Sequence, residues 1–300
     1  MLPQIDDFYN KPWGLKHWLQ YADPKIPAGT AVALLDPDMI LVRPLRTAMR
    51  GQPNNLYNKH LYKTEGDILE KVALGKPVAQ LYGLGAPWTN DQHKKFNRTY
   101  ICGADSPCRE PSMAFGDQHY AVGPPYIVVK EDMERIAATW TKFVPRVYEH
   151  YPYLLAEMYA YSMAAAHERL PHVQFEHLMV SNTESPGEGW PWVDALDDAC
   201  VPPVNGVYYP DTPLPTVVHY CQNFRAGELG FAKRQVHRDI FSCTHPLFKE
   251  PPPDLGRVDF RIKDSEVRVF VRRAWSTQAG RRLLTPLLLL SLPSLLSGNR

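Results

Sequence analysis

Neither sign of charge is in excess in this sequence. Its 33 Lys and Arg face 32 Asp and Glu over 300 residues. A nucleic-acid binder announces itself by a clear basic surplus, so that class is set aside. None of the five cysteines (Cys102, Cys108, Cys200, Cys221, Cys243) stands in a C-x-x-C pair, which removes the usual support for a structural zinc site. The dinucleotide fingerprint is missing too. Gly83-Leu84-Gly85 runs into Ala86-Pro87-Trp88 and lacks the third glycine. There is no G-x-S-x-G elbow for a serine hydrolase. His167-Glu168 begins like a zinc-protease helix, but Pro171 occupies the second ligand position and His172 comes one residue late.

Long apolar runs are also scarce. Met1 leads at once into Leu2-Pro3-Gln4-Ile5-Asp6-Asp7, which has neither the basic nor the apolar part of a secretory leader. The membrane-like stretch Leu283–Leu296 is broken by Pro286 and Pro293 and is shorter than the roughly 20 residues that a spanning helix needs. We expect residues 256–300 to be a disordered or mis-spliced tail, with a short C-terminal anchor as the alternative. Their charge differs from the rest: net +6 from Gly256 onward against −5 before it.

What the sequence does have is proline, 29 residues, about twice the usual share of roughly 5%. Each interior proline costs a helix about 3 kcal/mol, so a helical bundle is excluded. With 44% hydrophobic residues a large core is available. The expectation is an α/β domain with a mixed sheet flanked by helices and long, stiffened loops. Lys11–Tyr21 reads as a helix with Pro12 in its first turn and a stripe of Trp13, Leu15, Trp18 and Leu19. Ala31–Leu35 reads as a strand buried on both faces, continuing extended from Met39 to Val42. Helices are expected over Asp67–Leu74, Glu131–Phe143 and Leu154–Arg169. Strands are expected over Tyr126–Val129, Val173–Val180 and Thr216–Tyr220. Residues 181–215 read as loop.

Cys102 and Cys108 flank a turn-rich segment that suits a local disulfide, and Asn97-Arg98-Thr99 is a glycosylation sequon. Together they lean toward an oxidising lumen, with a reduced protein bearing buried thiols as the alternative.

Three features are placed to carry chemistry. Asp36-Pro37-Asp38 puts two carboxylates on one side of an extended chain, held stiffly by the proline, at the carboxyl end of a strand. Such oxygen donors suit Mn²⁺ or Mg²⁺ with phosphate. A plain strand-ending turn is the other reading. His219 closes the strand over Thr216–Val218 and could complete an Asp-based metal site, or be a hydrogen-bonded core histidine. Lys233, beyond Gly227 and Gly230, could hold a diphosphate as a point charge. Glu157 in the first turn of its helix has the character of a general base, or of ordinary helix electrostatics.

Four runs occur together in order: Asn10-Lys11-Pro12-Trp13-Gly14-Leu15-Lys16-His17-Trp18-Leu19, Leu34-Leu35-Asp36-Pro37-Asp38-Met39-Ile40-Leu41, Glu157-Met158-Tyr159-Ala160-Tyr161-Ser162, and His219-Tyr220 followed by Phe231-Ala232-Lys233-Arg234. In this combination the chain resembles the plant and algal peptidyl O-glycosyltransferases, the hydroxyproline O-arabinosyltransferases and peptidyl serine α-galactosyltransferases, over roughly residues 8–255. The resemblance implies a GT-A-like fold, a divalent metal, a UDP-sugar donor and a hydroxyproline- or serine-containing secreted protein as acceptor. It implies a Golgi or ER lumen setting, with a membrane anchor in the full-length protein. By it, Asp36 and Asp38 fall on the D-x-D motif, His219 completes the metal shell, and Glu157 is the carboxylate on the acceptor side. Asp36, Lys233, Trp13 and Lys16 then lie on the donor side. If the reaction inverts the anomeric centre Glu157 is the base; if it retains, Glu157 orients the sugar. Loop aromatics Trp190, Trp192, Tyr208 and Tyr209 are candidates for a groove that binds an extended peptide.

One departure stands out. A GT-A domain normally places several strands before its D-x-D, and here about one helix and one strand precede Asp36. Residues 1–255 are therefore expected to be a glycosyltransferase domain incomplete at its N-terminus, and poorly active alone. The alternative function is a non-catalytic carbohydrate- or peptide-binding relative of the same fold.

Overall fold

Four short sheets and three helices of twelve residues or more make up most of the described residues. The computed structural model describes residues 6–41, 44–50, 69–90, 96–175, 178–181, 216–220, 224–226 and 229–231. In order the elements are α1 (Asp6–Tyr21), β1 (Ala31–Leu34), β2 (Met39–Leu41), β3 (Ala48–Arg50), β4 (Leu69–Lys71), β5 (Val78–Leu81), α2 (Arg98–Cys102), α3 (Met113–His119), β6 (Val122–Val129), α4 (Lys130–His150), α5 (Ala156–His167), β7 (Val173–Phe175), β8 (Met179–Val180), β9 (Val217–His219), β10 (Phe224–Ala226) and β11 (Leu229–Phe231). The result is a mixed α/β protein with mixed sheets. By packing the chain forms two units, Met1–Asp36 with Arg46–Leu178, and Pro37–Leu45 with Met179–Arg300.

In the first unit the main sheet has the order β1-β6-β5-β7. The β1–β6 and β5–β6 pairs are antiparallel and β5–β7 is parallel. All eight residues of β6 are buried. It carries Pro124 and Pro125, which donate no backbone hydrogen bond, yet it is a central strand. The ladder steps over them: Ala79 faces Tyr126 and Gln80 faces Gly123, while β1 pairs only from Tyr126 onward. Prolines are tolerated in a sheet where the ladder is interrupted in this way. Gly123 is required beside them, because a Cβ there would lie 2.1 Å from the Tyr82 ring.

Helix α5 is Ala- and Met-rich and buried from Met158 to Ala166 on every side, as expected of a helix inside a core. α4 packs on it through Ile136, Ala137, Trp140, Val144 and Val147, the i, i+3, i+4 spacing of one helical face. Polar contacts fix the pairing. Trp140 Nε1 donates to the Glu157 carbonyl at 2.8 Å, and Arg135 Nη2 donates to the Glu168 carbonyl at 2.7 Å. Between α5 and β7 lies a closed polar pair. Buried His172 donates from Nδ1 to the Leu170 carbonyl at 3.0 Å, so its Nε2 is the acceptor for the Tyr161 hydroxyl at 2.9 Å. Desolvation is the main reason the His172 pKa falls to about 3, and it stays neutral.

Several expectations are corrected. The helix expected over Asp67–Leu74 is absent from its described part, 69–74. Leu69–Lys71 is strand β4, paired with β3, because a cross-strand partner overrides the helix propensity of Leu69-Glu70-Lys71. β1 is not buried on both faces: Val32 is buried and Ala33 exposed, since β1 terminates its sheet. α1 begins five residues before Lys11, so Pro12 lies inside it rather than in its first turn. Its buried stripe is Leu15 and Leu19, whereas Trp13 and Trp18 are more than 40% exposed. α4 passes through Pro145 to His150 instead of stopping at Phe143, and burial of Val144 and Val147 offsets the lost hydrogen bond. Val173–Val180 is two strands in different sheets, not one. The Cys102–Cys108 disulfide is formed as expected. Residues 256–300, like Lys233, Trp190, Trp192, Tyr208 and Tyr209, lie outside the described residues.

Candidate functional site

The second unit contains a three-stranded sheet of order β2-β9-β8, antiparallel between β2 and β9 and parallel between β9 and β8. Its register sets the chemistry. Met39 faces His219, so the residue before β2 and the last residue of β9 are neighbours. The Tyr220 backbone N–H donates to the Asp38 carbonyl at 2.9 Å and carries the ladder one step further. Asp38 Oδ1 thereby lies 3.2 Å from His219 Nε2. His219 is 5% exposed and Asp38 is partly open, an arrangement in which an imidazole nitrogen and a carboxylate oxygen address one point. Asp36 precedes Asp38 by two residues across Pro37, and all three side chains carry atoms of the kind that could hold a metal ion.

In the first unit, Asp36 belongs to a charged cluster. The chain leaves β1 at Leu34, opposite Tyr126 of β6, and reaches Asp36 two residues later. Lys11 of α1 reaches both carboxylates, with Nζ 2.5 Å from Asp36 Oδ1 and 2.6 Å from Glu157 Oε1. Glu157 is held from the other side by the Trp140 bond to its backbone carbonyl. Its second oxygen, Oε2, is buried and has no hydrogen-bond partner among the described residues. The same is true of the Tyr126 hydroxyl. Tyr126 stacks on Tyr161 with ring centroids 3.8 Å apart.

The titration of this cluster follows from burial. Desolvation is the largest influence on Glu157 and raises its pKa, with Lys11 pulling against it. For Lys11, desolvation is the largest single influence and lowers the pKa, but the Glu157 and Asp36 carboxylates together outweigh it, and the net direction is upward. Lys11 therefore remains a cation. Tyr126 is pushed well above the ordinary phenol range, first by burial and then by the Glu157 charge.

Of the residues singled out in the sequence, Asp38 and His219 meet directly, and Asp36 and Glu157 meet through Lys11. Glu157 does lie in the first turn of α5. Trp13 and Lys16 are on α1, the first exposed and the second half-buried. Sequence reasoning missed Lys11 and Tyr126. The only signal for Lys11 was its place in the first matched run; no periodicity marks a lysine whose carboxylate partner lies 146 residues away. Tyr126 read as part of a buried strand, which it is.

Comparison with known proteins gives one distant likeness: the chain is 25% identical over 262 residues to peptidyl serine alpha-galactosyltransferase of Arabidopsis thaliana. The match takes in 83% of this chain but only 26% of that protein, so the chain spans about a quarter of the length of the relative it matches. The likeness supports a relationship to a glycosyltransferase at a distance. No family profile matches the chain, and no solved structure matches it. No helix among the described residues is long and apolar enough to cross a membrane.

Proposed function

We propose that this chain is part of a metal-dependent glycosyltransferase of GT-A-like fold that moves a sugar from a UDP-sugar to a hydroxyproline or serine hydroxyl of a secreted protein. The observation that carries the reading is the meeting of Asp38 and His219 across β2 and β9, two residues beyond Asp36. The two carboxylates suit Mn²⁺ or Mg²⁺, and the imidazole nitrogen favours Mn²⁺ over Mg²⁺, which prefers an all-oxygen shell. Such a cation supplies Lewis-acid stabilisation of the charge that develops on a departing diphosphate.

The remaining roles belong to the chain. Asp38 and His219 offer one oxygen and one nitrogen, fixed by the β2–β9 ladder and the Tyr220 N–H. Lys11 holds Glu157 by one oxygen and leaves Oε2, buried and without a partner among the described residues, with capacity to accept a hydrogen bond or proton from a hydroxyl group that reaches it. Burial raises the affinity of that carboxylate for a proton, which suits a base working near neutral pH. In an inverting reaction this is the acceptor hydroxyl; in a retaining one Glu157 orients the donor sugar. Trp13 and Lys16 on α1 lie on the donor side of the same proposal, with Lys233 as the diphosphate lysine. The Cys102–Cys108 disulfide favours the oxidising lumen of the ER or Golgi, with anchoring left to the longer protein.

The experiment is UDP release from UDP-sugars by the purified chain, with and without Mn²⁺, in the presence of serine and hydroxyproline peptides. Slow Mn²⁺-dependent release, well below that of a complete transferase, which Asp38→Asn abolishes with an unchanged thermal unfolding midpoint, is the expected result. An undiminished rate in Asp38→Asn overturns the metal-dependent reading; absence of any release favours the non-catalytic binding relative.

A further inference from the structure

The sequon Asn97-Arg98-Thr99 has no part in the site above, and its geometry is that of a modification site. Its middle residue points inward and its outer two point outward. Arg98 is 8% exposed and donates from Nη1 to the Pro111 carbonyl at 3.2 Å. That anchor turns Asn97 and Thr99 to the surface, where both are exposed. The Asn97 side chain is already divided in function. Its Oδ1 accepts the Tyr100 N–H at 3.0 Å and closes the turn that opens α2, while Nδ2 makes no hydrogen bond among the described residues. The segment continues directly into the Cys102–Cys108 disulfide, a crosslink that persists in an oxidising compartment. No other N-x-S/T triplet with x other than proline occurs in the sequence.

We propose that Asn97 is an N-glycosylation site. The bond formed joins Nδ2 to the anomeric carbon of an oligosaccharide. The bond broken links that carbon to a lipid diphosphate, which leaves with the electron pair, and Nδ2 gives up one of its two protons to a base. The amide keeps its carbonyl, so the cap on the Tyr100 N–H survives the modification. A large, hydrated chain attached at Nδ2 projects from an exposed turn and displaces no buried contact. The Tyr100 ring, 49% exposed and held by its hydroxyl to Glu149 at 2.6 Å, offers a fixed apolar face three residues along for the first sugar to rest on. The proposal needs lumenal residence but not transferase activity.

The test is to express the full chain behind a cleavable secretory leader in a eukaryotic host, and to compare its electrophoretic mobility and mass before and after treatment with peptide-N-glycosidase. Secreted and cell-retained lumenal chains are both assayed, so that poor export does not hide the result. The expected outcome is a shift that the enzyme removes, converting residue 97 to aspartate. Thr99→Ala should lose the shift and Thr99→Ser should keep it; neither touches the Asn97 cap. An unshifted lumenal chain, or a shift that persists in Thr99→Ala, overturns the proposal. Neither result bears on UDP release, so the transferase reading stands or falls separately.

Discussion

Two buried polar clusters lie within the first unit, and they differ in one respect. Around His172 every polar atom of the pair is used: Nδ1 on the Leu170 carbonyl, Nε2 on the Tyr161 hydroxyl. Around Lys11 the carboxylates are held, yet Glu157 Oε2 and the nearby Tyr126 hydroxyl are buried with no partner among the described residues. Buried polar groups are normally satisfied, and each exception calls for a reason. The completed pair has the character of a core fastening. The incomplete cluster has that of a place waiting for hydroxyl groups from outside. Burial alone would have ranked His172 as the more unusual residue; the state of its partners says otherwise.

The strongest way to break this contrast is at Lys11. Lys11→Met strands two carboxylates in a poorly solvated setting, and removing one partner of such a pair costs about 4 kcal/mol. Urea unfolding near neutral pH should show that loss, and adding Glu157→Gln to the same chain should recover most of it. If the single variant is as stable as the parent, Lys11 is not what keeps the carboxylates buried.

Acid should test the His172 pair. Its folded pKa is depressed to about 3, so below the ordinary histidine value the unfolded chain takes up the proton first. Stability attributable to this residue is complete above about pH 6.5 and is lost as the pH falls toward about 3. Between about pH 7 and pH 4 the loss is roughly 3 kcal/mol, and His172→Gln should flatten the unfolding midpoint over that window. An equal slope in the variant would assign the acid sensitivity elsewhere.

The smallest effects give the sharpest contrast, because one atom is removed from each cluster. Tyr161→Phe deletes a hydroxyl that His172 uses and should cost about 1–2 kcal/mol. Tyr126→Phe deletes a hydroxyl with no partner among the described residues, and its unfolding free energy should stay within about 0.5 kcal/mol of the parent or rise. Similar losses in both would mean that the Tyr126 hydroxyl has a structural partner after all.

How much of this was legible in the sequence depends on the range of the interaction. Ala156–His167 and the first part of Lys130–His150 were legible from local composition, an Ala- and Met-rich run stopped by Pro171 and acidic residues in a first turn. Asp36-Pro37-Asp38 was visible because its stiffness is a property of three adjacent residues. His219 was visible at the end of a short strand as one of two open readings, and its contact with Asp38 rests on a β2–β9 register that no local pattern encodes. β4 was misread for the same reason, since its strand state comes from a partner. Lys11 was the hardest case: a charged residue in a helix looks like any solvated lysine until the fold supplies its carboxylates.

The distance along the chain between Lys11 and Glu157 carries a further consequence, for the order of assembly. α4 and α5 are joined by a short connection and can form their contact early, with little loop to close. α1 has to return across more than a hundred residues to meet them, so its clasp on Glu157 belongs to the late, downhill side of the folding barrier. Changes at that lysine would then speed unfolding far more than they slow refolding.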